Sequence, residues 1–235
     1  MFVKETRDNY QMLNWLDKYM IGHKGFICGG CFKNIFNGEK AKDLDIFFES
    51  EKDFKEAVNY YDSNTAGYWL DNDEILSEDS AKYRFLYENK NVKAYIHKET
   101  GVRIELCSKI FGTPEHVLNK FDFTITKFAY YKAEVEDESG AEVEKPLLYT
   151  DEIDIKTHIE YRVLIHNEFF KHLHLKRLVT DNEIPFPMST FERLLRYAKY
   201  GYFPCKETKM KIARAIQGLS SEQVQVSESL YKGMD

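Results

Sequence analysis

The 235-residue sequence has no long apolar run and only four cysteines. No hydrophobic stretch approaches the roughly 20 residues that a helix needs to span a bilayer. The N-terminus, MFVKETRDNY, lacks the apolar segment of a secretory signal peptide. The cysteines are too few and too scattered for a disulfide framework. These absences argue against a membrane or secreted protein, and we expect a chain that works in the reducing cytoplasm.

The remaining composition is that of a globular protein, with 43% hydrophobic and 15% aromatic residues. A chain of this length can bury a real core in one large or two small domains. Period-two alternation in YRFLYE, VKAYIH and VRIELC predicts antiparallel strands, and amphipathic segments lie between and after them. We therefore predict an α+β fold with a mixed β-sheet and flanking helices, followed by a small all-helical module.

The stretch from Phe26 to Phe48 carries the strongest chemical pattern. An apolar run, a Gly29-Gly30 pair, a short amphipathic segment and an alternating Asp-Leu-Asp-Ile predict strand, turn, helix and strand. Side chains at i and i+2 of a strand share a face, so Asp43 and Asp45 project together. Glycine lets backbone N–H groups approach an anion closely, which makes the turn a candidate phosphate cradle.

Two carboxylates held together in this way need a cation. Mg²⁺ prefers carboxylate oxygen and completes its shell with waters and substrate phosphates, so we predict Mg²⁺ or Mn²⁺ at Asp43 and Asp45. A two-metal site needs a third carboxylate from a neighbouring strand. Glu105 is the candidate. Ile104 and Leu106 share one face of its strand, and Glu105 lies on the other face with Arg103 and Cys107.

Each feature also has an ordinary interpretation. A Gly-Gly turn is common, an Asp-x-Asp pair often lies on a solvated edge, and a cross-strand pair with Lys or Arg is the ordinary interpretation of Glu105. Cys28-Gly-Gly-Cys31 invites a thiol oxidoreductase interpretation, which requires a strongly depressed thiol pKa.

The spacing of Gly-Gly and Asp-x-Asp resembles the signature of the DNA polymerase β-like nucleotidyltransferases, most of all CCA-adding enzymes and bacterial poly(A) polymerases. The matching positions are Gly29, Gly30, Gly38, Lys42, Asp43 and Asp45. The resemblance implies a nucleotidyltransferase head that binds an NTP at the Gly-Gly turn. The sequence departs from the pattern where the family has Arg and Asp, with Lys33 and Asn34 in their place, so Lys33 becomes the candidate triphosphate contact.

A second resemblance lies in FDFTIT, which is similar to the sugar-contacting motif of CCA-adding enzymes. It implies nucleotide contact at Asp122, which is also the reserve candidate for the third carboxylate. Lys120 and Phe121 replace the two arginines of that motif. The base-reading motif that follows in the family is absent from the sequence.

The C-terminal part of the chain is basic and is predicted to be helical from Asp151. Residues 156–217 hold 12 basic and 6 acidic residues, whereas residues 1–155 hold 20 basic and 30 acidic ones. FERLLRYAKYGYF resembles the neck helix of the same family, and Ser189 is the predicted cap of this helix. A basic face suits a polyanionic acceptor such as RNA, although a solvated helix surface explains it equally well. The candidate nucleic-acid contacts are Arg193, Arg196, Lys199 and Lys176.

Together these patterns predict a catalytic domain at 1–150, a helical module at 151–219 and a polar tail at 220–235. The predicted function is Mg²⁺-dependent transfer of a nucleoside monophosphate from an NTP to an acceptor hydroxyl, with an RNA 3′ end, a protein side chain and a small molecule all open as acceptors. The alternative is a catalytically degenerate protein of the same fold that binds a nucleotide, nucleic acid or protein.

Overall fold

The computed structural model describes residues 1–69, 74–136, 157–181 and 183–220. The chain divides into two compact units, each built from two segments. Unit 1 comprises Met1–Leu118 and Phe128–Ile165, and unit 2 comprises Asn119–Lys127 and His166–Asp235.

Unit 1 is built on an eight-stranded sheet with the spatial order β1-β8-β7-β2-β3-β6-β5-β4. Strands β3 and β6 run parallel, whereas β2–β3, β2–β7, β4–β5, β5–β6 and β7–β8 are antiparallel. The predicted mixed sheet with flanking helices is thus confirmed. The strands are β1 (Phe2–Thr6), β2 (Phe26–Cys28), β3 (Asp43–Phe48), β4 (Tyr83–Asn89), β5 (Val92–His97), β6 (Arg103–Phe111), β7 (Phe128–Glu136) and β8 (Thr157–His166).

Four helical segments belong to unit 1. They are a 3-10 helix (Arg7–Met20) and the α-helices α1 (Cys31–Phe36), α2 (Glu51–Ser63) and α3 (Pro114–Leu118). The 3-10 helix buries Leu13, Leu16 and Tyr19, as its apolar spacing predicts. Ser50 caps α2 by accepting a 3.1 Å hydrogen bond from the Asp53 N–H, which satisfies one donor at the helix start.

Strand β3 crosses the middle of the sheet and carries alternating apolar and polar residues. Leu44, Ile46 and Phe48 are fully buried, whereas Asp43 and Asp45 are not. Burial of one face fixes the register of the strand, because a shift of one residue would exchange the two faces. The core beneath β3 therefore determines where the two carboxylates point.

Unit 2 contains the helices α4 (Phe169–His174), α5 (Pro187–Lys199) and α6 (Lys206–Gln217) and a 3-10 turn (Thr124–Thr126). It is not wholly helical, because β9 (Arg177–Leu178) and β10 (Phe203–Pro204) form a short parallel pair. A fully buried Lys127 is neutralised by Asp181, whose other carboxylate oxygen contacts His166.

Two local predictions are wrong. The segment after Asp151 was expected to be helical, but Thr157–His166 forms β8 and pairs with β7 along its length up to Ile165. Its alternating residues and long antiparallel pairing favour a strand. Ser189 was expected to cap the next helix, but α5 begins earlier, at Pro187, because the fixed φ of proline suits the first helical turn.

The predicted polar tail at 220–235 lies almost wholly outside the described residues. The domain boundary at residue 150 lies there as well, and it stays a prediction. Among the residues that the structure describes, none of the helices is both long and apolar enough to cross a membrane.

The turn that leads into β2 offers a test of how tightly the sheet and helices pack. At Gly22, φ is +81° and an added Cβ would lie 2.2 Å from the Tyr60 ring. The ring of Tyr60 is itself packed edge-on against Tyr61. We expect Gly22→Ala to destabilise the protein by roughly 2–4 kcal/mol, measured by urea denaturation.

The matched control is Gly101→Ala. Gly101 also has a positive φ, of +69°, but an added Cβ would meet no atom within 4 Å. This substitution should cost only the backbone term of about 1 kcal/mol. Equal losses in the free energy of unfolding of the two variants would show that the close approach to Tyr60 does not add to the cost of Gly22→Ala.

Candidate functional site

Three of the predicted site residues come together on one face of the central sheet. Asp43 and Asp45 lie on β3, and Glu105 lies on β6 directly opposite Asp45. Because β3 and β6 are parallel and in register, residues opposite each other project from the same face. The sequence reasoning selected all three on strand alternation, and the topology places them side by side.

Arg103 lies among these carboxylates. Its guanidinium contacts Asp43 Oδ2 at 3.1 Å and Glu105 Oε1 at 2.9 Å. The same Glu105 oxygen accepts a 3.0 Å hydrogen bond from the Tyr87 hydroxyl. The guanidinium therefore bridges the two strands and partly neutralises the acidic cluster.

Asp45 has the most perturbed carboxyl group of the cluster. Desolvation, followed by the negative charges of Glu105 and Asp43, raises its pKa from 3.8 to about 7, and the positive charge of Arg103 opposes the shift. Strong perturbation by burial and a specific like-charge neighbour is typical of functional carboxylates. Near neutral pH, Asp45 is thus partly protonated, and a bound cation would displace this proton.

The donor set fits a hard divalent cation, because carboxylate oxygens are the ligands that Mg²⁺ prefers. In the described part of the chain, however, no three His, Cys, Asp or Glu side chains form an arrangement ready to hold a metal ion. The positive charge between Asp43 and Glu105 is supplied by Arg103. The chemistry of the site suits a metal, but the observed side-chain arrangement is one stabilised by a guanidinium.

The Gly-Gly turn lies beside the acidic cluster. Cys28, the last residue of β2, pairs with Asp45, so the turn that follows starts next to the carboxylates. Gly29 has φ +100°, a conformation that favours glycine. Its N–H donates to the Phe128 carbonyl at 3.2 Å, which anchors the turn to β7. Gly30 then caps the N-terminus of α1.

Lys33, the candidate triphosphate contact, is buried in this structure. Its ammonium group donates a hydrogen bond to the Asn34 side chain and lies 4.0 Å from a carboxylate oxygen of Glu39. Lys33 therefore makes local contacts within and just after α1, in an arrangement that does not present it to solvent.

The cysteines behave as core residues. Cys28 and Cys31 are buried, and burial raises the pKa of both thiols well above its usual range, with nearby negative charge acting in the same direction. Reactive thiols require the opposite shift. The oxidoreductase interpretation of Cys28-Gly-Gly-Cys31 is therefore wrong.

Asp122, the predicted nucleotide contact, lies in unit 2 and its side chain is only 7% exposed. It forms an ion pair with Arg193 of α5, and Arg193 also donates a 3.0 Å hydrogen bond to Ser189. One candidate nucleotide contact and one candidate RNA contact thus neutralise each other.

The other three basic candidates also lie in unit 2. Arg196 and Lys199 are exposed on α5. Lys176 donates a 3.1 Å hydrogen bond to the Tyr202 hydroxyl and lies 4.6 Å from the centre of that ring. Arg196 and Lys199 are consequently the stronger candidates for contact with a polyanion.

Sequence reasoning missed the roles of Arg103 and Tyr87. Arg103 was recognisable as a neighbour of Glu105, since the alternation of β6 places both on one face. Tyr87 carried no such signal, because it reaches Glu105 from β4, two strands away in the sheet.

Comparison with known proteins connects this site to a family. The family model described as "Gabija anti-defense 2 family protein" matches residues 6–176. A curated protein of Bacillus phage SPbetaL7, described as "Gabija anti-defense 2", is 21% identical over 212 residues. The alignment covers 90% of this chain and 42% of that protein, so the chain spans less than half the length of this relative.

Solved structures of CCA-adding enzymes are similar in fold. The Thermotoga maritima enzyme complexed with tRNA has a TM-score of 0.53 at 12% identity, covering 92% of this chain and 46% of that one. A CCA-adding enzyme with CTP has a TM-score of 0.54 at 13% identity, covering 96% and 49%. At such low identity the likeness shows the shared fold alone, over about half of each enzyme.

The raised pKa of Asp45 predicts how stability depends on pH. The folded protein binds this proton more tightly than the unfolded chain, so the charged carboxylate destabilises the fold as pH rises from about 4 to about 7. We expect Asp45→Asn to stabilise the metal-free protein above pH 7 by roughly 2–4 kcal/mol, and to have little effect near pH 4.

The measurement is urea denaturation in the presence of a chelator across that pH range. The control is Asp79→Asn, which changes an exposed carboxylate and should give a difference from wild type that does not vary with pH. A constant difference for Asp45→Asn as well would contradict the raised pKa.

Proposed function

The chain belongs to the Gabija anti-defense 2 family, and we propose that it is a metal-dependent nucleotidyltransferase that acts against the Gabija defence. The reaction transfers a nucleoside monophosphate from an NTP to an acceptor hydroxyl. The observation that carries the proposal is the cluster of Asp43, Asp45 and Glu105 on paired strands beside the Gly-Gly turn. The nucleotidyltransferase-like fold supports it.

In this proposal Asp43 and Asp45 hold the divalent cation, Mg²⁺ or Mn²⁺, and Glu105 completes the acidic set. When bound, the cation supplies charge neutralisation for the triphosphate and lowers the pKa of an attacking hydroxyl. Asp45 gives up its proton as the cation binds, because its pKa of about 7 falls when a positive charge approaches.

The Gly-Gly turn positions the triphosphate. The Gly29 N–H is already bonded to Phe128, so the Gly30 amide and the start of α1 are the candidate phosphate donors. Lys33 can contribute only if it leaves Asn34 and Glu39. The acceptor hydroxyl attacks the α-phosphate in line and pyrophosphate leaves, and catalysis rests mainly on positioning and charge neutralisation.

The acceptor class that we favour is RNA. Arg196 and Lys199 present two exposed positive charges on one helix, in the part of the chain that carries a net positive charge. Among the similar structures, the Thermotoga maritima enzyme is complexed with tRNA. With an NTP and RNA as substrates, the cytoplasm is the expected place of action.

The second candidate function is a degenerate nucleotidyltransferase that acts by binding a nucleotide, nucleic acid or protein. Arg103 favours it, because its guanidinium contacts two of the carboxylates and offsets part of their charge without a metal. The paired neutralisation of Asp122 by Arg193 favours it as well. In that case the fold would be retained for recognition alone.

Removal of either aspartate tests the catalytic proposal. We expect Asp43→Asn and Asp45→Asn each to lower Mg²⁺-dependent transfer at least 100-fold, about 2.7 kcal/mol of transition-state stabilisation, because the cation loses a charged ligand. The assay measures incorporation of labelled nucleotide from each of the four NTPs into total cellular RNA, with pyrophosphate release as a readout independent of the acceptor.

Asp79→Asn is the control and should keep full activity. Near wild-type transfer by either active-site variant would show that the carboxylates are not the catalytic ligands. Absence of both incorporation and pyrophosphate release in the wild-type protein, with every NTP, would favour the degenerate alternative.

Salt dependence tests RNA as the acceptor. Phosphate contacts release counterions, so affinity for single-stranded RNA should fall with salt by a log–log slope of about −0.7 per contact. We expect replacement of both Arg196 and Lys199 by Ala to make this slope shallower by roughly 1.4, measured by fluorescence anisotropy.

The matched control replaces Lys52 and Lys55 by Ala, which removes the same charge from exposed positions on α2 and should leave the slope unchanged. If RNA binding is absent at low salt, or if the control variant changes the salt slope as much as the α5 variant, RNA is not the acceptor. A protein or a small molecule then becomes the favoured acceptor.

A further inference from the structure

Arg103 occupies an unusual position for a basic residue near a metal site. Its side chain bridges Asp43 and Glu105 at 3.1 and 2.9 Å and remains 41% exposed. Its Nε atom is buried, but the side chain as a whole is only partly enclosed. Its place depends on the two carboxylates, which belong to different strands, and on its own position at the first residue of β6.

The backbone brings the residues of this bridge together. Arg103 pairs with Asp43 and Glu105 pairs with Asp45 in the parallel ladder. All four side chains therefore project from one face, with three negative charges and one positive charge among them.

Guanidinium and a divalent metal would compete for the same oxygens. The contacts of Arg103 use Asp43 Oδ2 and Glu105 Oε1, whereas Mg²⁺ binds carboxylate oxygen at about 2.1 Å with near-octahedral demands. A full positive charge within a few ångströms of a dication is repelled, and little of that repulsion is screened in a partly buried site. Both cations cannot be held in this arrangement.

We propose that Arg103 is a built-in counter-cation that holds the acidic cluster together in the metal-free protein and is displaced when a divalent metal binds. This inference rests on the proposed function, since it assumes that Asp43, Asp45 and Glu105 take a metal. Arg103 is a positioning residue in this scheme. It keeps the carboxylates aligned before the metal arrives and lowers the affinity of the site for the metal.

Tyr87 also helps to orient Glu105, but through a neutral contact. Its hydroxyl donates to Glu105 Oε1, and this neutral hydrogen bond does not oppose a metal by charge. Glu105 therefore keeps one orienting partner when Arg103 leaves. The Arg103 side chain is 41% exposed, although its Nε atom is buried, so part of the guanidinium already has access to solvent.

The experiment measures Mn²⁺ binding to the full chain by the loss of the free-ion electron paramagnetic resonance signal. We expect Arg103→Gln to bind Mn²⁺ at least tenfold more tightly than wild type, because the competing charge is gone. Arg103→Lys should stay within about threefold of wild type. The matched control, Arg84→Gln, removes an exposed arginine from the edge strand β4 and should leave the affinity unchanged.

Thermal denaturation adds a readout independent of activity. Without metal, Arg103→Gln should melt below both wild type and Arg84→Gln, since its carboxylates lack their counter-charge. Saturating Mn²⁺ should raise its melting temperature by more than that of wild type. A merely structural role for Arg103 would lower stability equally with and without Mn²⁺.

A measurement on the wild-type protein guards against a variant that does not fold. In arginine-labelled protein, the Nε–H signal of Arg103 can be assigned by its absence from Arg103→Lys. We expect Mg²⁺ to shift this signal and to accelerate its exchange with water. An unchanged signal at saturating Mg²⁺ would overturn the proposal.

The outcomes separate this inference from the proposed function. If wild type binds Mn²⁺ and Arg103→Gln binds it equally or more weakly, Arg103 is not a competitor, while the metal site stands. If neither binds Mn²⁺, the metal site itself fails and the inference falls with the proposed function. If Arg103→Gln binds Mn²⁺ and the wild type does not, Arg103 occupies the metal site in the wild-type protein.

Discussion

Repulsion among three carboxylates on two paired parallel strands is the constraint on which the site depends. Asp45 and Glu105 are direct neighbours in the ladder, and Asp43 lies two residues before Asp45. Keeping such charges together costs free energy unless a cation or a proton offsets it. In the metal-free protein both occur: Arg103 bridges two of the carboxylates, and the pKa of Asp45 rises to about 7.

The rest of unit 1 holds this cluster in place. Leu44 and Ile46 are fully buried on the opposite face of β3, so the strand cannot shift its register without exposing its core. The Gly-Gly turn is tied to β7 through the Gly29 N–H. Phe32 of α1 stacks on Phe128 at 4.3 Å between ring centres, which fixes the helix that follows the turn. Apolar packing therefore supplies the rigidity that an acidic cluster lacks.

The sequence was sufficient to predict the strands and helices around the acidic cluster and the shared strand face of its carboxylates, because these depend on short-range patterns. Alternation placed Asp43, Asp45 and Glu105 on strand faces, and the order of elements predicted the mixed sheet. Sequence patterns could not show what each side chain would meet across the fold. The burial of Lys33 beside Asn34, the bridge made by Arg103 and the pairing of Asp122 with Arg193 all depend on tertiary contacts. The strand β8 was missed although its residues alternate, because the segment was interpreted as part of the helical module, and its pairing with β7 shows only in the fold.

The proposed function combines a family described as Gabija anti-defense 2 with a fold similar to that of CCA-adding enzymes. The claim that joins them is that Asp43 and Asp45 bind a catalytic metal. The most direct test is a crystal structure of the chain grown with Mn²⁺ and a non-hydrolysable NTP, with the metal located by its anomalous scattering. The account predicts an anomalous peak within coordination distance of both aspartates, with Arg103 turned away from them. A bound nucleotide with Arg103 still bridging Asp43 and Glu105, and no peak between the aspartates, would contradict it.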